Sequence, residues 1–203
     1  MIEQGSPEWL AQRVGKVTAS RIADMMAKTK TGWGASRANY AAQLVCERLT
    51  GAPADSYQNE AMRWGIETEP HARAAYEFRT DNAVTSCGFV DHPRIAMSGA
   101  SPDGLVGDNG LLEIKCPNSA THIDTLLSAK APAKYVLQMQ WQMACTGREF
   151  CDFVSFDPRL PEAMRFWSAT IYRDATLIAE LEREVEIFLG EIDDTLKQLR
   201  REY

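Results

Sequence analysis

Three side chains near the middle of the chain have the types and spacing to do chemistry together: Asp103, Glu113 and Lys115. All lie between Ser101 and Pro117. Two converging carboxylates bind a hard cation such as Mg²⁺, which takes oxygen ligands and keeps several waters for a substrate phosphate. A metal so held polarises a phosphoryl oxygen and lowers the pKa of its water. An ammonium two residues on, about 7 Å along a strand, can orient the attacking water or steady the developing charge. Each piece alone says little: Glu-x-Lys is common on solvated strand faces, and Ser-Pro-Asp-Gly is an ordinary turn. Asp, a turn, then Glu-x-Lys on an alternating strand is far more specific.

A hairpin must bring these groups together. Two apolar runs flank residues 107–110, which end in Asn109-Gly110. Asn-Gly between apolar runs predicts a type I′ turn, with positive φ at both central residues. The second strand alternates, so Leu112 and Ile114 face the core and Glu113 and Lys115 the opposite side. Asp103 begins the partner strand, after a proline that can stand at a strand start. Pairing around the turn places Asp103 near Glu113 on the face away from the core.

Pro102-Asp103 followed by Glu113-Ile114-Lys115 resembles the PD-(D/E)XK nuclease motif. Leu112 to Pro117 resembles the lambda-exonuclease, or YqaJ-type, branch of that superfamily. Two more segments match the branch: Trp9-x3-Arg13-x-Gly15-x2-Thr18-Ala19-Ser20 and Trp64-Gly65-x3-Glu69-x2-Ala72-Arg73. The resemblance implies a restriction-endonuclease-like α/β fold, a mixed central sheet flanked by helices, in one domain spanning 1–203. It implies that Asp103, Glu113 and the Ile114 carbonyl hold Mg²⁺, with Mn²⁺ able to substitute, that Glu69 completes the site, and that Lys115 positions or activates the water. It further implies 5′-to-3′ exonuclease action on double-stranded DNA ends, a phosphate pocket of Arg13, Thr18, Ser20, Ser101 and Gln138, a ring-shaped trimer, and a single-strand-annealing recombinase as partner. The motif itself does not set polarity, so a site- or structure-specific endonuclease is the nearest alternative. A DNA-end-binding module is disfavoured because binding alone needs no ion-ligating acids. A Cas4-like iron–sulfur nuclease lacks its run of cysteines here.

The net charge of −6 at first argues against nucleic acid, but its distribution matters more than its sum. Residues 1–50 hold seven Lys/Arg against four Asp/Glu, and residues 174–203 hold four against nine. The acidity sits in the tail, leaving a DNA-binding face possible in the body. An odd cysteine count of five with no Cys-x2-Cys pair suggests free thiols in a reducing cytoplasm. Cys116 is expected to pack on the core side of its strand. The start lacks signal-peptide character, and no apolar run reaches membrane-spanning length. His71, His92 and His122 have no ligand spacing and are assigned no role.

Ser6-Pro7-Glu8 reads as a helix start, with the helix ending near Gly15. Thr18 and Ser20 precede a second helix, where they either cap it or bind phosphate. Residues 28–37 read as a flexible basic loop whose Trp33 either stacks on a base or folds back. Ser36 is read as capping a helix to Leu49, and residues 53–59 as a polar loop. Two helical stretches are expected to meet near Gly65, with Pro70 in a first turn and Arg73 and Arg79 exposed. Short strands are expected at 84–90 and 94–97, and helices at 119–129 and 135–143. Gln138 and Gln142 share a helix face, which is usually solvated. A hairpin is expected from 150–156 to 166–171. The apolar residues 177, 181, 185, 188, 192, 196 and 199 form one helical stripe for core packing, or alternatively a subunit contact.

Overall fold

The computed structural model describes residues 2–54 and 60–203. The elements in chain order are α1 (Pro7–Arg13), β1 (Val17–Thr18), α2 (Ile22–Met25), β2 (Lys28–Thr29), β3 (Gly32–Trp33), α3 (Ala35–Thr50), α4 (Glu60–Thr80), β4 (Val84–Thr85), β5 (Val90–Asp91), β6 (Ser98–Ala100), β7 (Gly104–Val106), β8 (Gly110–Lys115), α5 (Ser119–Ser128), α6 (Ala133–Thr146), β9 (Phe150–Phe156), β10 (Phe166–Tyr172) and α7 (Ala175–Glu202). The main sheet runs β10-β9-β8-β7-β4. Its β8–β9 pair is parallel and its other pairs are antiparallel, so the sheet is mixed. A smaller sheet, β1-β6-β5, carries the N-terminal segment into the body.

Strand β8 is central, and both its faces are covered. Leu112 and Ile114 enter a small core with Ala72 and Tyr76 of α4. Leu111, on the alternate face, enters the larger core with α6 and α7. Each such side chain contributes about 1.5–3 kcal/mol on burial. Glu113 shares its face with Leu111 and is 0% exposed. The expectation that Glu113 lies on a face away from the core is therefore corrected: a second helical layer covers that face.

The hairpin forms, but around a different turn. Only Gly107 has positive φ there (+51°), and the connection is three residues long, 107–109. The freedom of glycine is used at the first loop position rather than at Asn109-Gly110. Gly104 is needed for another reason: a Cβ there would come 2.2 Å from Val84 Cγ1 on the paired strand.

Helix α4 is one 21-residue helix that passes through Gly65 and contains Pro70. Pro70 removes the hydrogen bond to the carbonyl of Ile66. Both residues are exposed, so water can take that carbonyl, and the helix continues where the sequence predicted a break. Residues 55–59 of the expected polar loop lie outside the described residues. Residues 94–97 form a bend instead of a strand, and β6 starts at Ser98. Gly34, not Ser36, precedes α3; Ser36 Oγ donates to Asp24 O (3.3 Å). The tail stripe packs as core, with Leu181, Val185, Phe188, Ile192 and Leu196 buried. All five cysteines are free, and Cys116 packs against the small core. No helix among the described residues is long and apolar enough to cross a membrane.

Candidate active site

Asp103 is tied to the strand it faces. Its N–H donates to Leu112 O (3.1 Å), and its Oδ2 accepts from Ile114 N (2.6 Å). The register pairing Gly104 with Leu112 sets Asp103 opposite Glu113, as the alternation predicted. The Ile114 side chain is core, and its carbonyl lies in the peptide joining Ile114 to Lys115. The Lys115 ammonium makes a direct ion pair with Glu113 Oε1.

Helix α6 supplies the rest of the shell around Glu113. Gln138 Nε2 donates to Glu113 Oε1 (2.7 Å), and Gln142 Nε2 donates to Oε2 (2.6 Å). The glutamine face, of a kind usually solvated, is buried, and Gln138 points to the site as the family resemblance implied, but it meets the Glu113 carboxylate rather than the phosphate cavity. Gln142 had no assigned role; its position four residues after Gln138, on the same helix face, was the available signal.

Glu69, half-buried on α4, interacts electrostatically with Glu113 and Lys115. Burial pushes its carboxyl above the usual range; Glu113 adds to this, while Arg73 and Lys115 oppose it. Burial also raises the Asp103 carboxyl well above its ordinary value, with Glu113 adding and Lys115 opposing. Burial alone would lower the Lys115 ammonium, but Glu113 and Asp103 outweigh it and hold it above the lysine range. Burial and then the Glu69 and Asp103 charges push the neighbouring Cys116 thiol up to about 12, which keeps it an unreactive thiol.

Mutually repelling, partly desolvated carboxylates are a donor set that a hard divalent cation satisfies. Asp103 and Glu113, with the Ile114 carbonyl and Glu69 nearby, fit such an ion. Among the described residues no three His, Cys, Asp or Glu side chains form a ready-made cage. Any ion here therefore takes carbonyl or water oxygens as well, which Mg²⁺ does readily.

A cavity of about 920 Å³ opens beside Asp103 and Glu69, and Trp9, Arg13, Thr18, Ser20 and Arg73 line it too. Thr18 stands at the N-cap of a 3-10 turn, Ala19–Arg21, but its side chain makes no capping hydrogen bond, and Ser20 lies within that turn. Their hydroxyls lie 3.5 Å apart. Ser101 Oγ accepts from Trp9 Nε1 (2.9 Å) and Arg13 Nη1 (3.4 Å), which joins the N-terminal helix to the Asp103 segment. The Arg13 guanidinium lies 4.1 Å from the Trp9 ring centroid. Burial lowers its pKa, and the nearby Glu47 opposes that shift. Arg73, expected on the exposed side, is half-buried and donates to the Asp103 carbonyl oxygen. Its place four residues after Glu69 was the clue to its direction. Trp33 is 42% exposed on the β2–β3 hairpin, with the Arg37 guanidinium 4.0 Å from its ring. It is not in the cavity wall.

Residues 8–149 match the model of the YqaJ-like viral recombinase domain. The crystal structure of an alkaline exonuclease, LHK-Exo from Laribacter hongkongensis, is 54% identical, covers 97% of both chains and superposes with a TM-score of 0.91. A structure of LHK-Exo in complex with dAMP is 55% identical, also covers 97% of both chains, and has a TM-score of 0.92. A phage-related exonuclease from Haemophilus somnus 129PT shares the fold at TM-score 0.74, with 17% identity over 91% of this chain and 96% of its own. An uncharacterised protein, R354 of Acanthamoeba polyphaga mimivirus, is 26% identical over 75% of this chain, which spans 29% of that relative's length. All three motifs, with the carboxylates they place around Lys115, lie within the matched residues. The chain belongs to the YqaJ-like viral recombinase domain family, and it is a nuclease of that family.

Proposed function

We propose that the protein is an exonuclease that degrades one strand of linear double-stranded DNA from its 5′ end, with Mg²⁺ as cofactor, releasing mononucleotides. The observation that carries this reading is the cluster of Asp103, Glu113, Glu69 and Lys115, of which Asp103 and Glu69 line a cavity that also holds Arg13. The 54% identity to an alkaline exonuclease supports it, as does the capture of dAMP, a mononucleotide, by that relative.

In this reading Asp103 and Glu113 hold the ion, with the Ile114 carbonyl, and Glu69 adds negative charge beside it. When bound, the ion polarises the scissile phosphoryl oxygen and makes its water a better nucleophile. Lys115 donates a hydrogen bond that orients the attacking water. Water adds its oxygen to phosphorus, the P–O3′ bond to the terminal nucleotide breaks, the freed 3′-oxygen takes a proton, and the mononucleotide leaves while the phosphate stays on the strand as its new 5′ end. Arg13, Thr18 and Ser20 receive the terminal 5′-phosphate, with Ser101 bonded to Arg13. Holding the terminus in the cavity that Asp103 and Glu69 also line sets the next phosphodiester at the metal, which gives the 5′-to-3′ direction. Mn²⁺ replaces Mg²⁺.

By family resemblance, we infer a ring-shaped trimer working in the bacterial cytoplasm with a single-strand-annealing recombinase in homologous recombination. The test of activity uses end-labelled linear and closed circular duplex, with Mg²⁺ or with chelator. Loss of linear DNA alone, and only with Mg²⁺, is expected. Cutting of the closed circle would select an endonuclease, and no cleavage of either would overturn the reading.

A further inference from the structure

Helix α6 carries glutamines at 138, 140 and 142, and all three are buried. Their partners divide by face. Gln140 holds the end of the sheet: its Nε2 donates to Tyr172 O (2.8 Å), and its Oε1 accepts from Asp174 N (2.9 Å). Gln138 and Gln142, four residues apart, aim at Glu113 from one face and take one carboxylate oxygen each.

Gln142 has no exposed surface and does not line the cavity. Its amide oxygen accepts from Cys151 Sγ at 4.0 Å, a weak donor. Turning the amide over would set its oxygen against a carboxylate oxygen, so the local chemistry fixes the N–H towards Glu113. A wholly buried carboxylate is costly without donors to its charged form. The terminal torsion of Glu is also broad and roughly two-fold, so packing alone does not set the plane of the carboxylate. Lys115 and Gln138 both meet Oε1. The Oε2 contact from Gln142 fixes the other end of the plane.

We propose that Gln142 is a positioning residue: with Gln138 it forms an amide clamp across both oxygens of Glu113, fixing the direction in which this carboxylate meets its cation. The inference rests on the reading of Glu113 as a metal ligand. Gln142 touches neither DNA nor cation and acts only through Glu113.

The test measures Mn²⁺ binding by calorimetry in the full-length protein, without DNA, together with kcat, KM and thermal midpoint. Gln142→Met keeps the length and removes the donor; Gln140→Met is the same change at a buried amide that does not meet Glu113. Partners that orient a metal ligand typically carry about 10–100-fold in metal affinity or activity. Gln142→Met is expected to weaken Mn²⁺ binding about tenfold or more and to lower kcat similarly, with KM for DNA little changed. Gln140→Met is expected to lower the thermal midpoint and leave Mn²⁺ affinity alone. A smaller loss of Mn²⁺ affinity in Gln142→Met overturns the clamp.

Should Gln142→Met fold poorly, the same change is made in a Glu113→Gln background. A clamp on a charge predicts a smaller loss of thermal midpoint there. An equal loss in both backgrounds makes Gln142 a packing residue and ends the proposal. The parent reading fails separately, if Glu113→Gln alone still binds Mn²⁺ and cleaves DNA.

Discussion

Exchange of Glu113 for Gln is the perturbation with the most to say, because it changes charge at nearly constant volume in a side chain with no exposed surface. Without metal, opposing effects are expected. Glu113 helps raise the carboxyls of Asp103 and Glu69, so losing its charge relieves repulsion. Lys115 loses its ion partner, but its side chain is 27% exposed and can turn to water or to Asp103. Two amides donate to Glu113, and a Gln there offers one carbonyl oxygen. Gln142 can reverse its amide to meet the new N–H, because its own oxygen gives up only the Cys151 thiol. Each hydrogen-bond change is worth about 1 kcal/mol. The metal-free variant should therefore stay within about 2 kcal/mol of wild type, or roughly 4–8 °C in Tm for a chain of this size. The response to metal should differ sharply. At about 100 times its Kd, Mg²⁺ adds about 2.7 kcal/mol to a protein that binds it only when folded. That is roughly 5–11 °C in wild type, and Glu113→Gln should show no such rise. Cleavage should fall by about 10³-fold or more, since a lost metal contribution of about 4 kcal/mol corresponds to that factor. Thermal melts with and without Mg²⁺, beside initial rates on labelled duplex, make the measurement. A folded variant that keeps the Mg²⁺-dependent rise or cleaves at near wild-type rate would refute the metal-site reasoning.

Lys115→Ala should lower kcat by about 10²–10⁴, the range for positioned acid–base groups; unchanged kcat with weaker DNA binding would make Lys115 a phosphate contact. A 5′-phosphorylated duplex should be degraded faster than a 5′-hydroxyl duplex, and Arg13→Ala should remove about 1.5–3 kcal/mol of that preference while keeping Mg²⁺-dependent cleavage. Equal wild-type rates on both duplexes, or mononucleotides released first from 3′ ends, would sink the pocket and the polarity. His92 is a structural group with its own pH signature. It stacks on Trp141 (4.9 Å), its Nδ1 accepts from Ile95 N (3.0 Å), and its Nε2 lies 3.2 Å from Glu182 Oε1. Burial lowers its pKa despite Glu182 and Glu186, with Arg94 adding to the lowering. The unfolded chain thus binds this proton first, so stability is full above about pH 6.5 and falls as pH drops below it. Melts from pH 8 to 5 should show a shallower fall in His92→Gln than in wild type; equal slopes would remove His92 as the cause.

The short-range chemistry was legible because it depends on neighbours in sequence. Ser6 caps α1 by accepting from Trp9 N, as the Ser-Pro-Glu start predicted. The β7–β8 hairpin follows from glycine and asparagine between apolar runs, and two-residue periodicity sets Asp103 against Glu113. Steps of four and three between apolar positions gave α7 and its core-facing stripe. Errors arose where a local rule depends on what surrounds it. Pro70 breaks no helix because it and Ile66, whose carbonyl it leaves without an N–H partner, are both exposed, where water can take that carbonyl. Asn109-Gly110 forms no type I′ turn because the chain turns at Gly107 instead.

Sequence by itself determined which groups are chemically able to act: two carboxylates and an ammonium at fixed spacing on a hairpin, a third carboxylate on a helix, and an arginine with hydroxyls near the N-terminus. Covalent spacing and strand alternation settle those relations before any packing occurs. Tertiary structure alone decided that β8 is covered on both faces, that Gln138 and Gln142 turn inward onto Glu113, and that Arg73 reaches the Asp103 carbonyl. A helix face reads as polar whether it meets water or a buried charge, since the residues that satisfy either are the same. Only the docking of α6 over β8, driven by the apolar residues Met139, Met143, Leu111 and Phe153 of one core, distinguishes them.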